Sequence, residues 1–447
     1  MYSPLIDFID LQNPDYKKGL NSLYTGFRDS NAAFFENINF FLDSLNLIGT
    51  NPLVSLSSTI INLQKEQTEG VFRYLDEITK EIKPMPFTLE NRVIFEDSRM
   101  KVLKIDTDSY PEYPNAGTNG NVAISVPFMR GPSLTDYNSN EETSITRQAM
   151  KRGFSPYIIL FKEGDDKNKF DTHSDYRDSA RKTLYSINEE SSQTPHLVNI
   201  CAAGYKFTIA VAEDIEEKVN SLKYSGIRKP LIKSLTNVGV PWEVSPGSPI
   251  RDAADRIPEE MIDSVLRENN YLTDGKGMSL FWKLFTFEHA LDYFFNSDLK
   301  LLRETLNPSY DSTKRDVFRS WMEQDYHPLP GTLHKELVKE VFKEARLPEK
   351  FGNVLGNIEV PSIFLTGEKD DISLPEDCRS MAKYLGTPPE STFFLEKSKK
   401  GHSGIYISKD SVSKSYPSEK GWELREEGYY KQDDGSWQDI FDILEGL

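Results

Sequence analysis

At 447 residues, with 38% hydrophobic and 12% aromatic content, the chain is long enough for about two or three domains and too apolar to be disordered. A formal charge of −17 argues against a nucleic-acid binder, because neutralising phosphates needs a basic face. Two cysteines give no disulfide framework, no run approaches the ~18 apolar residues of a membrane span, and Met1-Tyr2-Ser3-Pro4 starts no basic-then-apolar signal; a soluble, cytoplasmic protein is expected.

In chain order, Phe34, Phe35, Ile38, Phe41, Leu42, Leu45 and Leu47 recur at helical spacing, and Gln64 to Ile82 reads as a further helix. These predict a helical N-terminal region over 1–95, punctuated by Pro84-Met85-Pro86. Over 96–254 strand-like runs alternate with helices: Met100 to Ile105, Val122 to Pro127, a helix near Glu142 to Arg152, Tyr157 to Phe161, and a helix from Ser174 to Asn188. That alternation implies a mostly parallel sheet flanked by helices. Residues 255–350 read almost entirely as helices, with aromatics clustered at Phe281 to Phe287 and Tyr293 to Phe295, as a helical cap insertion would. Residues 351–447 return to strand and helix, and Trp437, Ile440, Phe441 and Leu444 mark a closing helix that packs.

The chemistry concentrates at three places. Leu197 to Ile200 is a short apolar strand, Cys201-Ala202-Ala203-Gly204 a small-residue turn, and a helix starts near Tyr205. This is the layout of a nucleophile elbow, which holds one side chain above the sheet edge and frees the next N–H, here that of Ala202, for an oxyanion hole. Asp370 follows the apolar strand Pro361 to Gly367, and His402 follows Thr392 to Leu395 within Gly401-His402-Ser403-Gly404. Nucleophile, acid and histidine in that order are the signature of an α/β-hydrolase fold with its helical cap insertion. A thiol needs a base or an ion pair to become nucleophilic, and a carboxylate behind the imidazole fixes its tautomer; hence Cys201, His402 and Asp370 as a triad.

Each assignment has a plainer competitor. A cysteine at a strand end is often mere packing, a histidine between glycines is often a turn residue, and Asp371 competes with Asp370 for the acid. Cys378 reads as packing. Lys397, Lys399 and Lys400 read as a solvated loop or as cations near the site. His289, His327 and His334 have irregular spacing that gives no metal site, and no cofactor motif appears.

With these residues in place, the chain resembles the poly(hydroxyalkanoate) synthase group of the α/β-hydrolase superfamily, including its hydrolase-like branch, over roughly 95–445. Asn199-Ile200-Cys201-Ala202-Ala203-Gly204 occupies the family's Gly-x-Cys-x-Gly-Gly box. Val126 to Gly131 with Asp136 and Ser144, Asp175-Tyr176, Phe294 to Asp298, Trp321 through Asp325, Leu329-Pro330-Gly331 with His334, Gly367 to Ile372 and Gly401 to Ile405 carry the rest. The resemblance implies a cysteine-dependent acyltransferase that forms an acyl-Cys201 intermediate from a hydroxyacyl thioester, with coenzyme A as carrier of the substrate rather than as a cofactor. Phe128 or Met129 would give the second oxyanion donor, and Trp282, Phe285 and Trp321 of the cap would enclose the acyl chain. Partners are then a small acyl thioester or ester and no nucleic acid, and a homodimer through the cap or the N-terminal helices is compatible with such a chain. Asn199 and Ala203 depart from the family's glycines, so an esterase or thioesterase with the same triad and a catalytically silent scaffold stay open.

Overall fold

The structure is a computed structural model that describes residue 69 and residues 87–127, 131–220, 230–255, 258–268, 270–273, 328–370, 372–414, 422–431 and 434–447. All but residue 69 belong to one compact unit, Pro84–Thr286 with Arg319–Leu447. Its strands, in chain order, are β1 (Asn91–Glu96), β2 (Met100–Ile105), β3 (Asn121–Ser125), β4 (Ser155–Phe161), β5 (His196–Ile200) and β6 (Ser234–Val238). They continue as β7 (Leu272–Thr273), β8 (Leu329–Pro330), β9 (Ser362–Gly367), β10 (Thr392–Lys397), β11 (Glu423–Arg425) and β12 (Gly428–Lys431).

Ten of these form one sheet in the order β1-β2-β4-β3-β5-β6-β9-β10-β12-β11. Every neighbouring pair from β4 to β12 is parallel, and the antiparallel pairs stand at the two edges. A parallel sheet must be covered on both faces, and β3, β5, β6 and β9 are buried at every residue.

The helices that bear on the site are α1 (Ile145–Lys151), α2 (His173–Ser191), α3 (Ala203–Asn220), α4 (Pro249–Asp255), α5 (Glu259–Glu268), α6 (Gly331–Glu336), α7 (Leu347–Leu355) and α8 (Trp437–Gly446). Sequence chemistry sets their starts. The Asp175 carboxylate accepts from the Thr172 N–H at 2.9 Å to open α2, and Asp439 accepts from the Ser436 N–H at 2.9 Å to open α8. Helix α8 closes the fold from its apolar side: Trp437, Ile440 and Phe441 are fully buried, and Gln438 donates to the Gln148 side chain of α1 at 2.9 Å.

Three expectations change. The sheet begins at β1, inside the segment read as helical, because Val93, Ile94 and Phe95 favour an extended chain that pairs with β2. The segment read as all helix contains the antiparallel pair β7–β8, Leu272 against Pro330 and Thr273 against Leu329. The lysine run is not one solvated loop: Lys397 is the buried last residue of β10, and its backbone pairs with that of Asp434 in an isolated antiparallel bridge. Residues 1–68 and 70–86 of the N-terminal region, residues 274–327 of the cap with Trp282, Phe285, His289, Trp321 and His327, and also Phe128, Met129 and Asp371, lie outside the described residues.

Candidate active site

Strand β5 is buried throughout and delivers Cys201 at its carboxyl end, half-exposed, with φ +56°. A non-glycine residue held there is strained, and strain of this kind persists only where the surroundings over-determine it. They do: the Cys201 N–H donates to the Val238 carbonyl at 2.9 Å, continuing the β5–β6 ladder, and the Cys201 carbonyl accepts from the Gly204 N–H at 3.0 Å. Helix α3 starts two residues later, so the Ala202 N–H heads it among the donors of a first turn that lack intrahelical acceptors.

Gly204 is glycine for a steric reason. A Cβ there would stand 2.4 Å from Cγ2 of Val240 and 2.8 Å from Cβ of Asn199. Ala203 is fully buried and takes its place without φ strain. Asn199 is accommodated by a polar ladder across three strands. Ser125 Oγ on β3 donates to its Oδ1 at 2.9 Å, and its Nδ2 donates to Asn237 Oδ1 on β6 at 3.0 Å. These residues are in register, Ser125 against Asn199 against Asn237, so the amide satisfies both its ends inside the sheet.

The acid and histidine loops are stitched to each other. Glu368 N–H donates to the Lys397 carbonyl at 3.0 Å and Lys369 N–H to the Lys400 carbonyl at 2.9 Å. Gly367 permits this approach, since a Cβ would meet the Lys400 carbonyl oxygen at 2.4 Å. Asp370 is buried; its Oδ1 accepts from the N–H groups of Ile372 (3.0 Å) and Ser373 (2.8 Å), which aims Oδ2 at His402.

His402 joins the two loops to the elbow. Its Nδ1 lies 2.7 Å from Asp370 Oδ2 and its Nε2 lies 3.1 Å from Cys201 Sγ. The ring is buried, edge-on to Tyr406 at 5.5 Å, and its Cε1 and Nδ1 come within 3.3 Å of where a Cβ on Gly239 would sit. Burial alone would push the imidazole's pKa down, but the Asp370 carboxylate and the Cys201 sulfur together hold it well above its ordinary value. The ring thus faces a carboxylate on one nitrogen and a sulfur on the other, both of which favour its protonated form.

The sequence analysis named Cys201, Ala202, Asp370 and His402, and the structure brings them together. It missed the residues that hold them: Ser125, Asn237, Gly239, Ser373 and Tyr406. Gly239 follows β6, whose polar residues gave no readable strand, so none of these carried a clear local signal. Cys378 is buried with Sγ 2.9 Å from Ser373 Oγ, behind the Asp370 loop, and burial pushes its thiol well up.

A second charged cluster, unread in the sequence, lies about one turn along α3. The fully buried Lys206 amine donates to the Tyr205 hydroxyl at 2.9 Å, and that hydroxyl lies 3.1 Å from the His173 ring. Glu336 of α6 accepts from the His173 N–H at 2.7 Å. Burial pushes the Lys206 ammonium well below its ordinary pKa and raises the Glu336 carboxyl. Among the described residues no group of histidines, cysteines and carboxylates is arranged to hold a metal, and no helix is long and apolar enough to cross a membrane.

A mainly parallel sheet with antiparallel edges, an elbow at the carboxyl end of a central strand, and an acid and a histidine on two later neighbouring strands make this an α/β-hydrolase fold. No family model and no curated protein matches the chain. Among solved structures it is similar to a monoacylglycerol lipase from Paleococcus ferrophilus, at 16% identity over 64% of this chain and 87% of that one, with a TM-score of 0.37. It is similar also to a bromoperoxidase from Bacillus anthracis (10% identity, 71% of this chain and 95% of that one, TM-score 0.38). A thioesterase domain from the curacin biosynthetic pathway compares at 11% identity over 72% and 96%, with a TM-score of 0.36.

Proposed function

We propose that the protein is a cysteine-dependent acyltransferase, in which Cys201 takes an acyl group from a hydroxyacyl thioester and passes it to a hydroxyl. The observation that carries this reading is the unbroken line from Asp370 through His402 to Cys201, at 2.7 and 3.1 Å. A histidine within hydrogen-bond reach of a thiol and backed by a carboxylate can take the thiol proton or share an ion pair with the thiolate, which is the attacking species.

The thiolate attacks the thioester carbonyl carbon, and the Ala202 N–H is placed to receive the oxyanion. Collapse breaks the carbon–sulfur bond of the donor, whose thiolate leaves with the proton from His402 Nε2. The imidazole, now neutral and held by Asp370, takes the proton of the incoming hydroxyl as its oxygen attacks the acyl-cysteine, and Cys201 leaves as thiolate. Water as acceptor gives hydrolysis; the hydroxyl of a second hydroxyacyl unit gives chain growth. The resemblance to poly(hydroxyalkanoate) synthases favours growth, and the fold serves either.

Two observations favour an active site over a silent scaffold: Asn199 is satisfied in its ladder, and Cys201 sits at the elbow with a positive φ. Intact-mass measurement after incubation with a 3-hydroxyacyl coenzyme A tests the proposal. The expected result is one acyl mass on the native chain and none on Cys201→Ala, with equal folding by circular dichroism. Turnover retained in the alanine variant would refute it, and product chain length separates transfer from hydrolysis.

A further inference from the structure

Among the described residues β11 is the last strand of the sheet and no strand pairs with its outer edge, and two side chains at this edge face solvent: Trp422 is 41% and Leu424 58% exposed. It joins β12 through a two-residue turn, with Arg425 paired to Gly428, Leu424 to Tyr429 and Glu423 to Tyr430. In such a hairpin the residues beside the turn exchange hydrogen bonds and the pattern alternates, so Glu423 and Arg425 address β12 while Leu424 turns its N–H and C=O outward.

The two faces of this edge differ. On one, Leu424 lies in register with Tyr429, which stacks on Phe393 at 5.7 Å, and Trp422 stands edge-on to Phe393 at 5.8 Å. On the other, the Arg425 guanidinium covers the Tyr430 ring at 4.4 Å and pairs with Glu423 at 2.8 Å. An unpaired strand edge carrying exposed apolar side chains is a template for another strand.

The short sequence Glu423-Leu424-Arg425 is complementary to itself when reversed. Set antiparallel about Leu424, two copies place Leu424 against Leu424, and each Glu423 opposite the other copy's Arg425. The two outward peptide groups of Leu424 then exchange a pair of hydrogen bonds, and the row Leu424, Tyr429, Phe393 is doubled across the junction. We propose that β11 is a homodimer interface, pairing antiparallel with β11 of a second copy of this chain about a two-fold axis at Leu424. A contact this narrow makes a weak, exchanging dimer, since stable ones bury about 1,200 Å² or more.

Sedimentation velocity on the full chain, over a dilution series reaching the high micromolar range, tests this. The native protein is expected to show a reversible monomer–dimer equilibrium. Glu423→Arg sets two like-charged pairs face to face and should weaken the dimer by about tenfold or more, and the double variant Glu423→Arg with Arg425→Glu should restore it. Circular dichroism and melting of each variant verify the hairpin is folded. A native chain that stays monomeric throughout, a dimer that Glu423→Arg leaves unchanged, or a double variant that fails to regain association would each overturn the proposal.

Discussion

His402 is subject to opposing pulls, burial against its charge and the Asp370 carboxylate with the Cys201 sulfur for it, and the second prevails. A histidine raised in the folded state stabilises that state fully below its unfolded pKa of about 6.5, and the contribution fades as pH climbs through the folded value. Nuclear magnetic resonance of the ring protons, feasible with six histidines, should show one imidazole titrating well above 6.5. In Asp370→Asn that titration should drop toward the ordinary value and turnover should fall by about 10³-fold, because the amide can present the wrong tautomer. An unmoved titration would contradict the pairing. Gly239 is a second residue-level constraint: at φ +59°, with a prospective Cβ 3.1 Å from His402 Cε1 and 3.2 Å from Ile405 Cδ1, it leaves the ring its room. Gly239→Ala should lower kcat more than it changes KM and destabilise the fold by about 1–3 kcal/mol, measured by steady-state kinetics and urea unfolding.

The start of β5 carries a different liability. His196 is buried, with Nδ1 2.7 Å from Ser234 Oγ, and burial together with Lys233 lowers its pKa to about 4. A histidine lowered in the folded state keeps its full contribution above 6.5 and loses it as pH falls toward 4, a loss of at most roughly 3 kcal/mol. Urea unfolding at pH 7, 5.5 and 4 should therefore give a shallower pH slope for His196→Leu than for the native chain, whatever its stability at pH 7; equal slopes would refute the assignment. Strands of this type also show what was legible in the sequence. β5 and β9 were readable as apolar runs ending in a small-residue turn or a glycine, and with them the Cys201 elbow and the Asp370 loop. β6, Ser-Leu-Thr-Asn-Val, was not, because its polar Asn237 is buried against Asn199 and only register reveals that partner. β1 hid beside a helical pattern, and β11 and β12 hid in a charged tail where local composition outweighs the alternation of Leu424 and Tyr429. Lys206 was invisible for the same reason: a lysine at a buried helix position is accommodated by partners that only the fold brings to it, among them the Tyr205 hydroxyl and the Phe161 ring.

For the molecule as a whole, the formal charge of −17 sets a field that opposes an anionic substrate at long range. A coenzyme A thioester carries several phosphate charges, so kcat/KM for it should rise by about two- to tenfold as ionic strength goes from ~10 to ~150 mM, while a neutral ester of the same acyl group should show little change. An opposite trend would mean that local cations dominate encounter. The C-terminal helix α8 also reaches the site, since the Trp437 indole donates to the Ile405 carbonyl at 2.8 Å, three residues beyond His402.

Cys201 and His402 stand 201 residues apart along the chain and 3.1 Å apart in space, with α8 bracing the histidine loop from the end of the sequence. Synthesis runs from the amino end at about 5–20 residues per second, so the thiol emerges from the ribosome well before its partner. Through that interval the growing chain holds Cys201 without His402, so the pair is not yet formed. Assembly of the site therefore waits on His402 and on Trp437, which are made long after Cys201, and a chain stalled before His402 would lack the imidazole on which the proposed chemistry rests.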